Sequence, residues 1–177
     1  MNFTQAEIDR FKDRHAIYDC LVRFARGLDR QENELLKSAF HDGATISHGM
    51  YSGEVSGFAD FIGEYRISSG VVQATNRVNQ ALIEFTSDDS ADVETYILSF
   101  LDTEMDGKFI ARTVGGRYLD RFERRHGDWK VASRLYVMDW NSSSPSTVDV
   151  DGSYFGDLAI GRTDRKDQSF EYISLLL

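Results

Sequence analysis

Residues 115–140, GGRYLDRFERRHGDWKVASRLYVMDW, decide the fold of this chain. The segment joins two runs, 109–124 and 129–140, that are rich in β-branched and aromatic residues. A polar turn at 126–128 separates the runs, and it is short enough to connect antiparallel strands. The sequence therefore predicts a long β-hairpin at this point.

Two further β-rich runs, 75–85 and 91–102, precede the hairpin, again with short polar turns between neighbours. Strands that follow one another through short connections usually lie side by side in the sheet. The four runs therefore predict a four-stranded antiparallel meander.

The N-terminal part of the chain has a helical pattern instead. Apolar residues recur at spacings of three and four between Thr4 and Leu28, and Thr4 together with Glu7 matches a helix capping box. One or two amphipathic helices are predicted here.

Two shorter helices are predicted farther along, over residues 32–40 and 58–65. Between them, a turn at Asp42-Gly43 is expected to lead into an extended segment at 44–50. Helices that precede an antiparallel sheet are typical of an α+β domain, in which the helices pack on one face of a curved sheet.

The C-terminal part of the chain differs in composition. Residues 141–177 are rich in Ser and Asp and contain the only proline of the sequence, Pro145. We expect one domain over residues 1–140 and an arm over residues 141–177. The apolar positions 172–173 and 175–177 are expected to pack on the same domain or on a neighbouring subunit.

Composition restricts the class of protein. A chain of 177 residues with 41% hydrophobic residues suits one globular domain. Its 29 acidic and 20 basic residues give a formal charge of −9, which argues against binding to nucleic acid or to an anionic membrane. No apolar run reaches membrane-spanning length.

Cys20 has no second cysteine to pair with and the N-terminus lacks the apolar core of a signal peptide, so we expect a cytoplasmic protein.

Three segments together resemble a known family. They are AIYDCLVRFARGLDRQ at 16–31, RVNQALIEF at 77–85 and the hairpin at 115–140. Over residues 8–140 the chain resembles the SnoaL-like branch of the nuclear-transport-factor-2-like (NTF2-like) superfamily. This resemblance implies the NTF2-like, or cystatin-like, fold, which is a conical barrel of a curved antiparallel sheet wrapped by N-terminal helices. It also implies a deep apolar pocket for a small molecule and assembly as a homodimer or homotrimer.

Members of this superfamily differ in function. They include scytalone dehydratase, bile-acid dehydratase, ketosteroid isomerase, polyketide cyclases and a dehydrochlorinase. Others are non-catalytic carriers or small subunits of ring-hydroxylating oxygenases. The fold alone therefore leaves the activity open.

The resemblance also suggests two site residues. Dehydratases of this group have an aspartate at the end of the third helix, where this chain has Asp29. Nineteen residues later, where scytalone dehydratase has a tyrosine that holds the catalytic water, this chain has His48. A histidine that faces a cavity is suited to act as a general base or acid near neutral pH, and Asp29 would fix its tautomer through a hydrogen bond. The alternative is a surface histidine and a helix-capping aspartate.

Other positions depart from the family pattern. The strand asparagine is present as Asn79, but the histidine usually found four residues before it is replaced by Thr75. A tyrosine and an arginine of the bile-acid enzyme are replaced by Phe24 and Met138. These changes argue against ordinary dehydration by the usual catalytic pair.

Strand alternation predicts which further side chains face the cavity. Arg77 and Arg117 are then placed to stabilise an oxyanion, and Tyr136 is placed to donate a proton. The alternative is that these arginines pair with carboxylates at the barrel mouth or at a subunit interface. The sets expected to face inward are Thr75, Arg77 and Asn79; Arg117, Leu119 and Arg121; and Arg134, Tyr136 and Met138. The candidate catalytic residues are Asp29, His48, Arg77, Arg117 and Tyr136, and the candidate substrate-binding residues are Phe24, Thr75, Asn79, Leu119, Arg134 and Met138.

No sequence motif indicates a metal or a cofactor. An HExxH motif is absent, there is no cysteine pair, and the glycine pair Gly115-Gly116 lies in a strand instead of a strand-to-helix turn. We therefore expect chemistry that needs neither.

The sequence favours a cofactor-independent lyase that eliminates water or formaldehyde from a bulky apolar substrate, with an isomerase or cyclase as the close variant. The Asp-Trp motif and the Gly-Arg-Thr-Asp segment at 161–164 resemble proteins of aromatic catabolism, which points to lignin-derived or other aromatic diols. The alternative function is a non-catalytic ligand carrier or the small structural subunit of a ring-hydroxylating oxygenase.

Overall fold

The first element of the fold is one continuous helix, α1 (Gln5–Arg30), in a computed structural model that describes residues 2–149 and 156–173. The Thr4 hydroxyl accepts a hydrogen bond from the Glu7 amide at 3.3 Å, and the Glu7 carboxylate accepts one from the Thr4 amide at 2.8 Å. The predicted capping box is therefore confirmed. The helix ends at Gln31, whose backbone is left-handed with φ of 53°.

Both predicted short helices are confirmed as α2 (Asn33–Ser38) and α3 (Val55–Ser68). A fourth helix of one turn, α4 (Ser169–Tyr172), lies in the C-terminal arm. None of the helices in the described ranges combines the length and the hydropathy that a membrane span requires.

The predicted four-stranded meander is confirmed, and each of its strands extends beyond the predicted bounds. The strands in chain order are β1 (Phe40–His48), β2 (Tyr51–Glu54), β3 (Val71–Ser87), β4 (Ser90–Met105), β5 (Lys108–Arg125) and β6 (Asp128–Pro145).

The six strands form one curved, open sheet in the order β2-β1-β6-β5-β4-β3. The predicted α+β class is confirmed. The sheet is mixed instead of wholly antiparallel, because β1 runs parallel to β6, with Phe40 opposite Val131 and Ile46 opposite Arg134. Periodicity along a single strand does not reveal this pairing, because four strands and a helix lie between β1 and β6 in the chain.

The expected turn at Asp42-Gly43 is wrong. Both residues lie inside β1, where the pairing with β6 shifts register between Phe40 and Thr45. Gly43 has φ of 71°, which is costly for residues that carry a Cβ atom. The Asp-Gly pair therefore marks a strand irregularity, which uses the same backbone freedom as a turn.

The hydrophobic core lies between α1 and the inner face of the sheet. Ile17, Leu21, Phe24 and Leu28 form one stripe of α1 and are all buried. The ring of Phe24 meets that of Tyr118 edge to face, with centroids 5.5 Å apart. This stripe closes one side of the space enclosed by the curved sheet.

The C-terminal arm contacts α1, although not through the residues that were expected to do so. The side chain of Gln31 donates a hydrogen bond to the carbonyl of Thr163 at 2.8 Å. Tyr172 and Ile173 are 83% and 49% exposed, so they do not pack on their own domain. Their packing on a neighbouring subunit stays a prediction, and residues 175–177 lie outside the described residues.

Gly27 is required for the close approach of α1 to α2. A Cβ atom at this position would lie 2.7 Å from the amide nitrogen of Leu36. We expect the Gly27→Ala variant to lose about 1–3 kcal/mol of unfolding free energy, because backbone has to move to make room. Urea denaturation followed by circular dichroism measures this loss.

Gly63→Ala is the matched control, because Gly63 lies in α3 and a Cβ atom there would have no neighbour within 4 Å. This variant should gain roughly 0.5–1 kcal/mol from helix propensity. Equal stability changes in the two variants would contradict the close contact between α1 and α2.

Candidate active site

A cavity of about 260 Å³ lies between α3 and the inner face of the sheet. Most of its lining is apolar or aromatic. A cavity of roughly 150 Å³ holds benzene, so this one has room for one aromatic ring with a short substituent. It is lined by Leu28, His48, Gly49, Met50, Phe61, Ile62, Tyr65, Arg66, Val71, Asn76, Ser99, Leu101, Val114 and Tyr136.

His48, the last residue of β1, forms part of the cavity wall as predicted. Its imidazole stacks on the ring of Tyr136, with centroids 4.5 Å apart and planes inclined by 13°. The ring of Phe58 lies 5.2 Å away on another side. The Nδ1 atom of His48 is buried and has no hydrogen-bond partner among the described residues. The imidazole is therefore held in place by packing alone.

The electrostatic surroundings keep His48 neutral. Burial lowers the pKa of His48, and the positive charge of Arg134 lowers it further, to about 4. At neutral pH the imidazole therefore carries no charge and has a lone pair that can accept a proton.

Arg134 is fixed by a buried ion pair with Asp120. Its Nε and Nη2 atoms donate to the two carboxylate oxygens of Asp120 at 2.7 and 2.6 Å. The guanidinium carbon lies 4.3 Å from the ring centroid of Phe24 and 4.0 Å from that of Tyr118. Because both charged side chains are fully buried, the bidentate geometry and the aromatic contacts compensate for lost hydration.

Asp29 does not pair with His48, so this prediction was wrong. The Oδ1 atom of Asp29 accepts hydrogen bonds from the backbone amide and the side-chain amide of Asn76, at 2.9 and 2.6 Å. The hydroxyl of Ser99 donates to Asn76 Oδ1 at 2.6 Å. Burial raises the pKa of Asp29, whereas the hydrogen bonds from Asn76 oppose this change. Asp29 therefore positions Asn76 and Ser99, and these two residues line the cavity.

Arg66 also lines the cavity, from the buried side of α3. The residue is only 6% exposed, and its Nη1 atom has no hydrogen-bond partner among the described residues. Burial lowers the pKa of its guanidinium, and the nearby charge of Asp29 opposes this change. The guanidinium nevertheless stays protonated, because arginine titrates far above physiological pH.

The side chains of β3 alternate in the opposite sense to that predicted. Thr75, Arg77 and Asn79 are exposed, and the polar residue that faces inward here is Asn76. The prediction assigned the family's strand asparagine to Asn79. The apolar residues two positions before and after Asn76 show which face is buried, because alternate residues of a strand share a face.

The side chains of β5 are likewise reversed. Leu119 is 37% exposed, and Arg117 and Arg121 lie on the same outer face of the sheet. Arg117 pairs with Asp139 at 2.9 Å and with Glu94 at 3.0 Å. These surface pairs match the alternative interpretation, in which the arginines of the sheet form ion pairs with carboxylates and do not bind a ligand.

Of the remaining predicted site residues, two lie on or under the cavity wall and two do not. Tyr136 lines the cavity, and Arg134 points inward beneath it. Phe24 is fully buried in the core and contacts Arg134 instead of the cavity. Met138 is 55% exposed and lies next to the point where the pairing of β5 with β6 shifts register.

Sequence reasoning missed Arg66, Asn76 and Ser99. Arg66 had a detectable signal, because it follows Phe58 by eight residues and Ile62 by four, on the apolar stripe of a helix. A charged residue on such a stripe is unusual unless it has a partner or a function. Asn76 was detectable by its apolar neighbours, whereas nothing in the sequence distinguishes Ser99.

The described residues, 2–149 and 156–173, contain no cluster of three or more histidine, cysteine or carboxylate side chains that could hold a metal ion.

A family model matches most of the chain. The model of the SnoaL-like domain matches residues 9–135. No curated protein matches the sequence.

Solved structures share the fold at low sequence identity. Hexachlorocyclohexane dehydrochlorinase LinA-type3 from Novosphingobium barchaimii LL02 is 21% identical, with a TM-score of 0.69 over 81% of this chain and 96% of that one. A candidate scytalone dehydratase from Novosphingobium aromaticivorans is 17% identical, with a TM-score of 0.63 over 79% of this chain and 91% of that one. A protein of unknown function with a cystatin-like fold, from Nostoc punctiforme, is 16% identical, with a TM-score of 0.59 over 78% of this chain and 96% of that one.

Breaking the buried ion pair should destabilise the protein strongly. We expect Asp120→Ala to lose about 3–5 kcal/mol of unfolding free energy, because Arg134 then becomes an uncompensated buried charge. The control is Asp92→Ala, which breaks the 2.6 Å pair with Arg121 on the exposed face and should cost about 0–1 kcal/mol. Chemical denaturation of both variants measures the difference, and similar losses would contradict the role of Arg134 in the core.

The stability of the protein should depend on pH through His48. Its pKa is about 4 in the folded protein and 6.5 in the unfolded chain, so the unfolded state binds this proton more tightly. The contribution is complete above pH 6.5 and is lost as the pH falls towards 4, by about 3 kcal/mol in total. Urea denaturation between pH 4 and 7 should show this dependence in the wild type and a flatter one in His48→Gln. His15→Gln, at an exposed position, should keep the wild-type slope.

Proposed function

Because the chain belongs to the SnoaL-like domain family, we propose that it is a cofactor-independent lyase that uses His48 as a general base. The proposed substrate is an aromatic alcohol or diol, of the kind derived from lignin, that binds in the 260 Å³ cavity and loses water or formaldehyde. The volume favours a substrate with one aromatic ring.

One observation carries this proposal, namely the neutral imidazole of His48 stacked on Tyr136 in the wall of an apolar cavity. A base buried in such a site removes a proton without competition from water, and its neighbours determine its charge. The site combines an acceptor for a proton with a phenol that can supply one.

Loss of water would proceed as follows. His48 takes a proton from a carbon atom of the substrate, and the electrons of that C–H bond form a C=C bond as the neighbouring C–O bond breaks. The departing hydroxide takes a proton and leaves as water. Burial and the charge of Asp139 raise the pKa of the Tyr136 phenol, so Tyr136 stays protonated and is able to donate that proton. The proton on His48 then returns to Tyr136.

Loss of formaldehyde needs the same groups. His48 takes the proton of a hydroxymethyl group, the C–C bond to that group breaks to release formaldehyde, and the freed electrons expel a hydroxide from the neighbouring carbon. The hydroxide takes a proton from Tyr136 and leaves as water. The difference between the two reactions therefore lies in the substrate.

The names of the structural neighbours agree with elimination chemistry, since one is a dehydrochlorinase and another a candidate dehydratase. The site nevertheless differs from the expected catalytic pair, because Asp29 bonds to Asn76 and the charge that lowers the pKa of His48 is that of Arg134. We propose that Arg134 keeps His48 unprotonated between turnovers. Isomerisation or cyclisation would use the same base on a different substrate.

A non-catalytic carrier is the second candidate function. The low pKa of His48 favours it, because an imidazole with a pKa of about 4 is a weak base. A carrier would use the apolar cavity for binding and would turn over no substrate.

We also propose a cytoplasmic homodimer or homotrimer. The outer face of the sheet exposes apolar side chains that a second copy would cover, among them Leu119, Leu135 and Trp140 at 37%, 46% and 51% exposure.

Turnover of one-ring and two-ring aromatic diols, measured by liquid chromatography and mass spectrometry with a chelator present, tests the proposal. We expect the wild type to release water or formaldehyde and His48→Ala to be slower by about 10²–10⁴-fold, because the base is lost. Tyr136→Phe should also be slower, because it removes the proton donor.

Arg77→Ala is the control, because the exposed Arg77 lies outside the cavity, and it should keep its rate within about twofold. Equal rates in the wild type and His48→Ala would remove His48 from the mechanism. Binding without turnover of any diol would favour the carrier.

A further inference from the structure

Arg66 is a buried cation without a direct partner. The residue is 6% exposed, and neither a hydrogen bond nor an ion pair joins it to any residue within 2–149 or 156–173. By contrast, Arg134 has a bidentate carboxylate partner at a similar depth. Charged side chains are almost never fully buried unless they are paired, so an unpaired one that faces a cavity indicates a missing anion.

The charged neighbours of Arg66 are already engaged elsewhere. Asp29 and Arg30 are the groups whose charges affect its titration. Asp29 accepts two hydrogen bonds from Asn76, and Arg30 pairs with Asp167 at 3.4 Å. Asp29 therefore moderates the charge of Arg66 from a distance but does not bind it.

The side-chain amide of Asn76 and the hydroxyl of Ser99 also line the cavity, and both already have partners. Ser99 donates to Asn76, and Asn76 donates to Asp29. Among the described residues that line the cavity, the buried side-chain atoms without a hydrogen-bond partner are His48 Nδ1 and Arg66 Nη1. A ligand that fits this wall has an anionic group for Arg66 and a reacting centre for His48, joined by an apolar body.

We propose that Arg66 binds a carboxylate of the substrate, so that the enzyme acts on one-ring aromatic hydroxy acids in preference to neutral diols. Guanidinium and carboxylate groups match in geometry and form two parallel hydrogen bonds. The reaction part of this inference rests on the proposed lyase function, whereas the binding part does not.

For an aryl β-hydroxy acid the reaction balances without a co-reactant. His48 removes a proton from the carbon next to the carboxylate, a C=C bond forms, and the β-hydroxyl leaves as water after it takes a proton from Tyr136. The product is the aryl α,β-unsaturated acid. Negative charge that develops on the carboxylate during proton removal is stabilised by Arg66, which makes the proton easier to remove.

A pair of ligands that differ only in charge tests the binding step. Isothermal titration calorimetry would compare 3-phenylpropanoate with its neutral isostere 3-phenylpropanamide, neither of which has a hydroxyl to lose. We expect the wild type to bind the carboxylate at least tenfold more tightly, because a charge-assisted hydrogen bond in a buried site is strong. Equal affinity for the two ligands would overturn the proposal.

Arg66→Met is the decisive variant. We expect it to bind the carboxylate and the amide with similar affinity, and to have a melting temperature equal to or above that of the wild type, because it removes an unpaired buried charge. A purely structural Arg66 would instead lower the melting temperature and leave the carboxylate preference unchanged, and that result would overturn the proposal. If Arg66→Met does not fold, Arg66→Lys decides: a reduced carboxylate preference supports the proposal, and an unchanged one overturns it.

His48→Ala separates this inference from the lyase function, because it should lose turnover of 3-hydroxy-3-phenylpropanoate but keep the carboxylate preference. If the wild type prefers the carboxylate but dehydrates no hydroxylated substrate, that result would overturn the proposed lyase function and support the role of Arg66. Turnover of neutral diols without any preference for carboxylate ligands would overturn the role of Arg66 and support the proposed lyase function.

Discussion

The buried ion pair between Arg134 and Asp120 is the interaction on which the rest of the structure depends. It joins β5 and β6, the two strands at the centre of the sheet, through two hydrogen bonds of 2.7 and 2.6 Å. The guanidinium also lies between the rings of Phe24 on α1 and Tyr118 on β5. The first helix therefore packs on the sheet around a charge, and that charge must stay paired because it is fully removed from water.

The same charge also acts on the base in the cavity wall, His48. Burial and the positive charge of Arg134 together hold the pKa of His48 at about 4, so the imidazole is neutral when a substrate enters. Asp29 orients Asn76, which lines the cavity. Arg66 completes the site with a second positive charge that, unlike that of Arg134, has no carboxylate bound to it among residues 2–149 and 156–173. A paired arginine thus tunes the base, whereas an unpaired one is available to a ligand.

Much of the fold was predictable, because local patterns have local causes. The capping box of Thr4 and Glu7 and the short turns between the last four strands depend on residues close in sequence. The placement of His48 in the cavity and the inward orientation of Tyr136 were also predicted correctly. The errors at Arg77 and Arg117 have a common physical cause. Alternate side chains of a strand lie on opposite faces, so one misassigned residue reverses the whole strand.

The sequence by itself determined the α+β class, the first three helices, the last four strands and the membership of the SnoaL-like family. Only the tertiary structure decided the parallel pairing of β1 with β6, the partner of Asp29 and the isolation of Arg66. Secondary structure follows from the periodicity of apolar residues within a segment. The pairing of charged groups depends instead on contacts between residues far apart in the chain, such as Asp29 and Asn76, and these distances exist only once the chain has folded.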